Sequence, residues 1–106
     1  MGKYRIKFWF EHGGECLWGA NDAAKEKYGY CINKNSIPIS KALVDKLAKL
    51  ETEYSSYIDW DNPSKASKWS REQKLDFIVE STKVYFLLSD ELGSGYEIIN
   101  SVSSCV

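Results

Sequence analysis

The chain predicts an α+β fold in which two long helices lie over a small antiparallel or mixed sheet, built from an N-terminal hairpin and a C-terminal strand. Three observations carry this. Residues 4 to 18 alternate aromatic and polar residues on either side of Gly13-Gly14, a hairpin signal. Residues 40 to 58 and 70 to 92 repeat apolar residues at helical spacing. Tyr96-Glu97-Ile98-Ile99 follows a Gly-Ser-Gly turn and reads as a last strand. At 106 residues the chain is expected to form a single domain spanning 1–106.

A two-residue turn at Gly13-Gly14 pairs Phe10 with Leu17 and Trp9 with Trp18. One face of the hairpin then holds Ile6, Phe8, Phe10 and Leu17. The other holds Lys7, Trp9, Glu11, Cys16 and Trp18, so two indoles sit among charges. Asn21 or Asp22 caps a short helix through Tyr28 that Gly29 ends. Tyr30-Cys31-Ile32 is a candidate strand, followed by a polar turn over 33–36 and an extended Ile37-Pro38-Ile39.

Ser40 caps the first long helix, whose stripe Leu43, Leu47, Leu50, Tyr54 and Tyr57 carries it to about Ile58. Asp59 to Trp69 loses periodicity around Pro63 and is expected as a loop. Ser70-Arg71-Glu72-Gln73 is a capping box that starts the second long helix. Its expected stripe is Leu75, Ile78, Tyr85, Leu88 and Leu92, widened by Phe77, Val84 and Phe86 until Gly93 stops it. That girth implies a central, largely buried helix. Ser101 to Val106 is expected to fray.

Apolar residues make up 43% of the chain and aromatic residues 14%, which suits a folded, soluble domain, and no apolar run reaches a membrane span. Cysteines at 16, 31 and 105 are odd in number and far apart, which fits reduced thiols and places the chain in the cytoplasm. Net charge is −1, no argument for a nucleic-acid partner, but residues 1–50 balance at +4 and residues 51–106 at −5. The negative half projects a field that favours a basic partner.

Enzyme chemistry finds little support. His12, the only histidine, stands four residues from Cys16, but on the expected hairpin the two side chains point to opposite faces. A solvated turn histidine explains it as well. The cysteines lack the close pairing of a zinc site, and no glycine-rich phosphate loop precedes a helix. No catalytic residue, metal or cofactor is expected.

The acidic positions are more telling. Glu72, Asp76 and Glu80 stack at four-residue spacing on one helical edge, which costs folding about 0.2–0.5 kcal/mol per like-charged pair. The helix dipole and Lys83 offer a bland account, a solvated face. Asp59 and Asp61 flank Trp60 in the preceding loop, and an indole among carboxylates is a common form of interface anchor. Asp59, Trp60, Asp61, Glu72, Asp76 and Glu80 are therefore the expected partner-binding residues.

The pattern of Phe8-Trp9-Phe10-Glu11 with Gly14, Cys16-Leu17-Trp18 and Asn21, Gly29-Tyr30 with Ile32, Pro38-Ile39-Ser40, Asp59-Trp60 with Pro63, Trp69-Ser70 with Glu72, and Glu91-Leu92-Gly93 resembles a known group. It is similar to bacterial immunity proteins encoded beside polymorphic toxins, particularly those of contact-dependent growth inhibition. The resemblance implies a cytosolic antidote, not an enzyme, that binds the C-terminal domain of its cognate toxin, often a nuclease, and blocks its active site or another site it needs. It assigns no role to any single residue. The alternative is a single-stranded nucleic-acid-binding module that stacks bases on Trp9 and Trp18, with Arg5 and Lys7 beside them.

Overall fold

The computed structural model describes residues 3–11, 15–57 and 69–105. In chain order the elements are β1 (Tyr4–Phe8), β2 (Leu17–Gly19), α1 (Asp22–Tyr28), α2 (Lys41–Tyr54), α3 (Arg71–Leu92) and β3 (Tyr96–Asn100), with short 3₁₀ turns at Gly93–Gly95 and Val102–Ser104. Among the described residues the strands form one sheet in the order β2-β1-β3. β1 runs antiparallel to β2 and parallel to β3, so the sheet is mixed and the α+β expectation holds.

The hairpin register differs from the expected one by two residues: Lys7, not Trp9, lies opposite Trp18, and Phe8 opposite Leu17. A shift of two preserves the side-chain alternation, so the two faces keep nearly all their expected members. Phe10 leaves the ladder altogether. Its ring packs between Tyr54 and Phe77, with centroids 5.6 and 5.0 Å away, and its amide donates to Cys105 Sγ at 3.1 Å. Cys16 is a correction: the chain bends there before entering β2, and the thiol is buried in the core and not on the indole face. The Gly13-Gly14 turn lies outside the described residues.

The core joins Ile6, Phe8, Leu17 and Ile98 of the sheet to Leu43, Leu47 and Leu50 of α2 and Phe77, Val84 and Leu88 of α3. α1 lies on the same side. Gly19 stands opposite the core residue Ile6, and a Cβ there would meet Gly29 O at 2.9 Å and Lys25 Cγ at 3.0 Å. Only glycine lets the helix approach this closely. The described helices thus share one face, and the other shows Arg5, Lys7, Trp18, Glu97 and Ile99.

Local signals fixed the helix starts. Asn21, Ser40 and Ser70 each accept the expected amide, and Ser70 and Gln73 complete the capping box. α2 ends at Tyr54, before the expected Ile58, because consecutive hydroxyls compete for its carbonyls. Ser55 Oγ donates to Thr52 O, Ser56 Oγ donates to Glu53 O, and the backbone tightens to a Tyr57 N–H bond to Tyr54 O. Tyr30-Cys31-Ile32 shrinks to one bridge, Trp18 to Cys31.

α3 presents a different side to the core than expected. Phe77, Ser81, Val84, Leu88 and Leu92 are buried, whereas Leu75, Val79 and Phe86 face outward. The tail is also a correction. Ser101 N–H bonds Phe8 O, Val102 is buried, and Cys105 O accepts the Tyr54 hydroxyl at 3.0 Å.

A partly buried ion pair fastens the 33–36 turn to α2. Lys34 Nζ lies 2.9 Å from Glu51 Oε1 and 3.4 Å from Glu15 Oε2. Burial alone would lower the lysine's pKa, but the two carboxylates outweigh it and the net direction is upward.

Candidate functional site

Of the expected binding residues, Asp59, Trp60 and Asp61 lie outside the described residues. Glu72, Asp76 and Glu80 all sit on α3, whose start is set by the Ser70–Gln73 capping box. Gln73 N–H donates to Ser70 Oγ at 3.1 Å, and Ser70 N–H donates to Gln73 Oε1 at 2.7 Å. With the helix start fixed, four-residue steps carry the carboxylates along one edge.

The structure separates them by surroundings. Asp76 and Glu80 line the groove between α2 and α3, a cavity of about 280 Å³ whose apolar part is Trp69 and Phe77. Glu72 is exposed in the first turn of α3 and is not part of that lining. Glu53 of α2 faces Asp76 and Glu80 across the groove. Glu53 is not among the residues the sequence singles out, because the apolar stripe is what identifies α2 there. Its position next to Tyr54, a member of that stripe, is the one local signal.

Trp69 belongs to the core's end. Its indole N–H donates to Ser56 Oγ at 2.8 Å, and its ring meets Tyr57, Tyr54 and Phe77 edge-on at centroid distances of 5.4, 6.3 and 5.1 Å. Such rings give the groove a rigid apolar floor. Glu80 Oε1 lies 3.1 Å from Lys83 Nζ, but both side chains are well exposed, so the pair is weak. Farther along, Lys46, Lys49 and Lys83 line an adjoining cavity of about 300 Å³ with Leu50, Glu53, Glu80, Val84 and Leu87. The groove therefore grades from acidic at the start of α3 to mixed at its middle.

The indole face is organised differently. Trp18 donates its N–H to Trp9 O at 2.8 Å, the two rings stand at 61° and 6.4 Å, and Tyr30 covers Trp18 from 5.5 Å. Lys7 Nζ sits 4.8 Å from the Trp9 ring centroid. Trp18 is only 9% exposed, so this face offers bases less open ring than two parallel indoles would.

Reactive chemistry is not assembled among the described residues. No three histidine, cysteine or carboxylate side chains converge as metal ligands there. The Cys16 thiol is pushed well up by burial and then by Glu51, opposite to an activated nucleophile. His12 lies outside the described residues. No described helix is long and apolar enough to cross a membrane.

Over residues 4–102 the chain matches a family model described as Serratia CdiI immunity protein-like. Curated proteins give no significant match.

Proposed function

Because the chain belongs to the Serratia CdiI immunity protein-like family, an immunity family of contact-dependent growth inhibition, its role is toxin neutralisation, and we propose that it acts in the cytoplasm by plugging a basic toxin domain with its acidic flank. The toxin on this reading is a nuclease, whose phosphate-binding groove attracts and accepts carboxylates. Asp59, Trp60, Asp61, Glu72, Asp76 and Glu80 form the contact, joined by Glu53. The mechanism is occlusion without turnover.

The observation that supports this most is the groove in which Glu53, Asp76 and Glu80 surround the Trp69 and Phe77 rings. Carboxylates beside an apolar floor can receive a lysine or arginine, keep its stem dry and satisfy its charge. Long-range attraction comes from the negative half of the chain.

The test is to purify the chain with the C-terminal domain of the large secreted protein encoded beside it. A one-to-one complex that abolishes nuclease activity supports the reading. An absent complex, or substrate turnover by the pure chain, ends it.

A further inference from the structure

The outward side of α3 carries a feature that folding does not use. Leu75, Val79 and Phe86, spaced by four and seven residues on one helical face, are 52, 53 and 63% exposed. The opposite side of the same helix already supplies Phe77, Val84 and Leu88 to the core. Large apolar side chains grouped in water gain nothing for the monomer and mark contact surfaces. The Tyr85 ring lies 5.2 Å from that of Phe86 and broadens the patch.

Charge selects the occupant. Glu72, Asp76 and Glu80 run along one edge of this row, and Lys83, 3.1 Å from Glu80 Oε1, offsets only one of the three carboxylates. Nucleic acid and anionic lipid headgroups would meet this edge with like charge. A second copy packing α3 on α3 would also set carboxylates against carboxylates. A basic protein surface with an apolar centre fits both parts.

We propose that the outward face of α3 is the apolar centre of the toxin contact, with Phe86 and Leu75 as anchors and the acidic edge as its rim. This rests on the immunity reading above. Binding energy then concentrates in the desolvated row, and the carboxylates supply orientation and encounter rate.

The test measures the affinity of the purified adjacent toxin domain for the wild-type chain, for a Leu75→Ser/Phe86→Ser double variant, and for Tyr30→Ser. Tyr30 is 66% exposed but lies beside the indole face, so it serves as the control. The double variant should bind at least 100-fold more weakly through faster dissociation, with only a small drop in Tm because both side chains are more than half exposed. Tyr30→Ser should bind like wild type. In the wild-type complex, amide exchange across residues 75–86 should slow.

If the double variant binds like wild type, or exchange is unaltered, this face is not the contact while the immunity reading stands. If wild type fails to bind the toxin domain, the immunity reading itself is lost and this proposal with it. A wild-type dimer in sedimentation that the double variant abolishes would assign the face to a second copy and overturn the proposal.

Discussion

The Phe10 amide donates to the Cys105 thiol at 3.1 Å in a buried site, joining the segment just after β1 to a residue 95 positions later. Cys105 O also accepts the Tyr54 hydroxyl. The last residues are thus a clasp across the sheet and α2, and not a loose end.

Truncation after Ser101 should therefore destabilise the chain severely. It removes the buried Val102, worth about 1.5–3 kcal/mol. It also strips the acceptor from the buried Phe10 amide, about 1–3 kcal/mol more. A loss near 4 kcal/mol is a large part of a small domain's stability. Urea unfolding of the truncated chain checks this, and a midpoint within error of the full chain would refute the clasp.

Lys34 should matter more than a surface lysine. Its ammonium lies 2.9 Å from Glu51 Oε1, and Glu51 Oε2 is buried with no hydrogen-bond partner among the described residues. Removing the cation by Lys34→Met leaves a carboxylate in the interior and should cost about 3 kcal/mol. Replacing both residues, Lys34→Met with Glu51→Leu, should recover most of that loss. Thermal unfolding of the single and double variants distinguishes a buried pair from a screened one.

Ser81 is fully buried on the inner side of α3, and its hydroxyl has no hydrogen-bond partner among the described residues. Ser81→Ala removes the unsatisfied group and raises helix propensity, so it should stabilise the chain by about 1 kcal/mol. A lower Tm for this variant would show that the hydroxyl is satisfied in solution.

Ser81 also shows where the sequence was and was not readable. The caps at Asn21, Ser40 and Ser70 depend on neighbours within three residues, so local chemistry fixed them. The faces of β1 were legible because a register shift of two leaves parity intact. α3 carries apolar residues on both sides, and a serine in its buried row hid which side faces inward. The parallel pairing of β3 with β1 and the burial of Val102 and Cys105 depend on contacts across most of the chain, which no local window contains. The place of Glu53 is hidden for the same reason: it lines one groove with Asp76 and Glu80 only once α2 packs on α3.

Alkaline pH should weaken the fold. The Cys105 thiol is pushed from about 9 up to about 11, chiefly by burial, while the Phe10 amide and Lys7 pull the other way. The folded chain holds this proton after the unfolded chain has released it, so unfolding free energy falls as pH rises from 9 to 11. The loss is at most about 1.4 kcal/mol per pH unit. Cys16, also raised by burial, adds the same sign. Cys105→Ser keeps an acceptor for the Phe10 amide but does not titrate there, so its urea midpoint should drop less between pH 8 and pH 10.5. Equal drops would remove Cys105 as a cause.

Reversing the acidic edge should act on encounter more than on lifetime. Asp76 and Glu80 are exposed, and the Glu80–Lys83 pair is too screened to hold the fold, so Asp76→Lys/Glu80→Lys should unfold like wild type. Charges at a rim steer approach across roughly a Debye length, about 10 Å at 0.1 M salt. The association rate with the toxin domain should fall about tenfold or more at low salt, while dissociation changes less. Raising the salt toward 0.5 M should erase most of the difference, because the wild-type advantage is itself screened. Glu26→Lys, which reverses an exposed charge on α1, should leave the rate nearly unchanged. Stopped-flow association over a salt series reads all three, and identical rates for wild type and the double reversal would remove the acidic edge from the encounter.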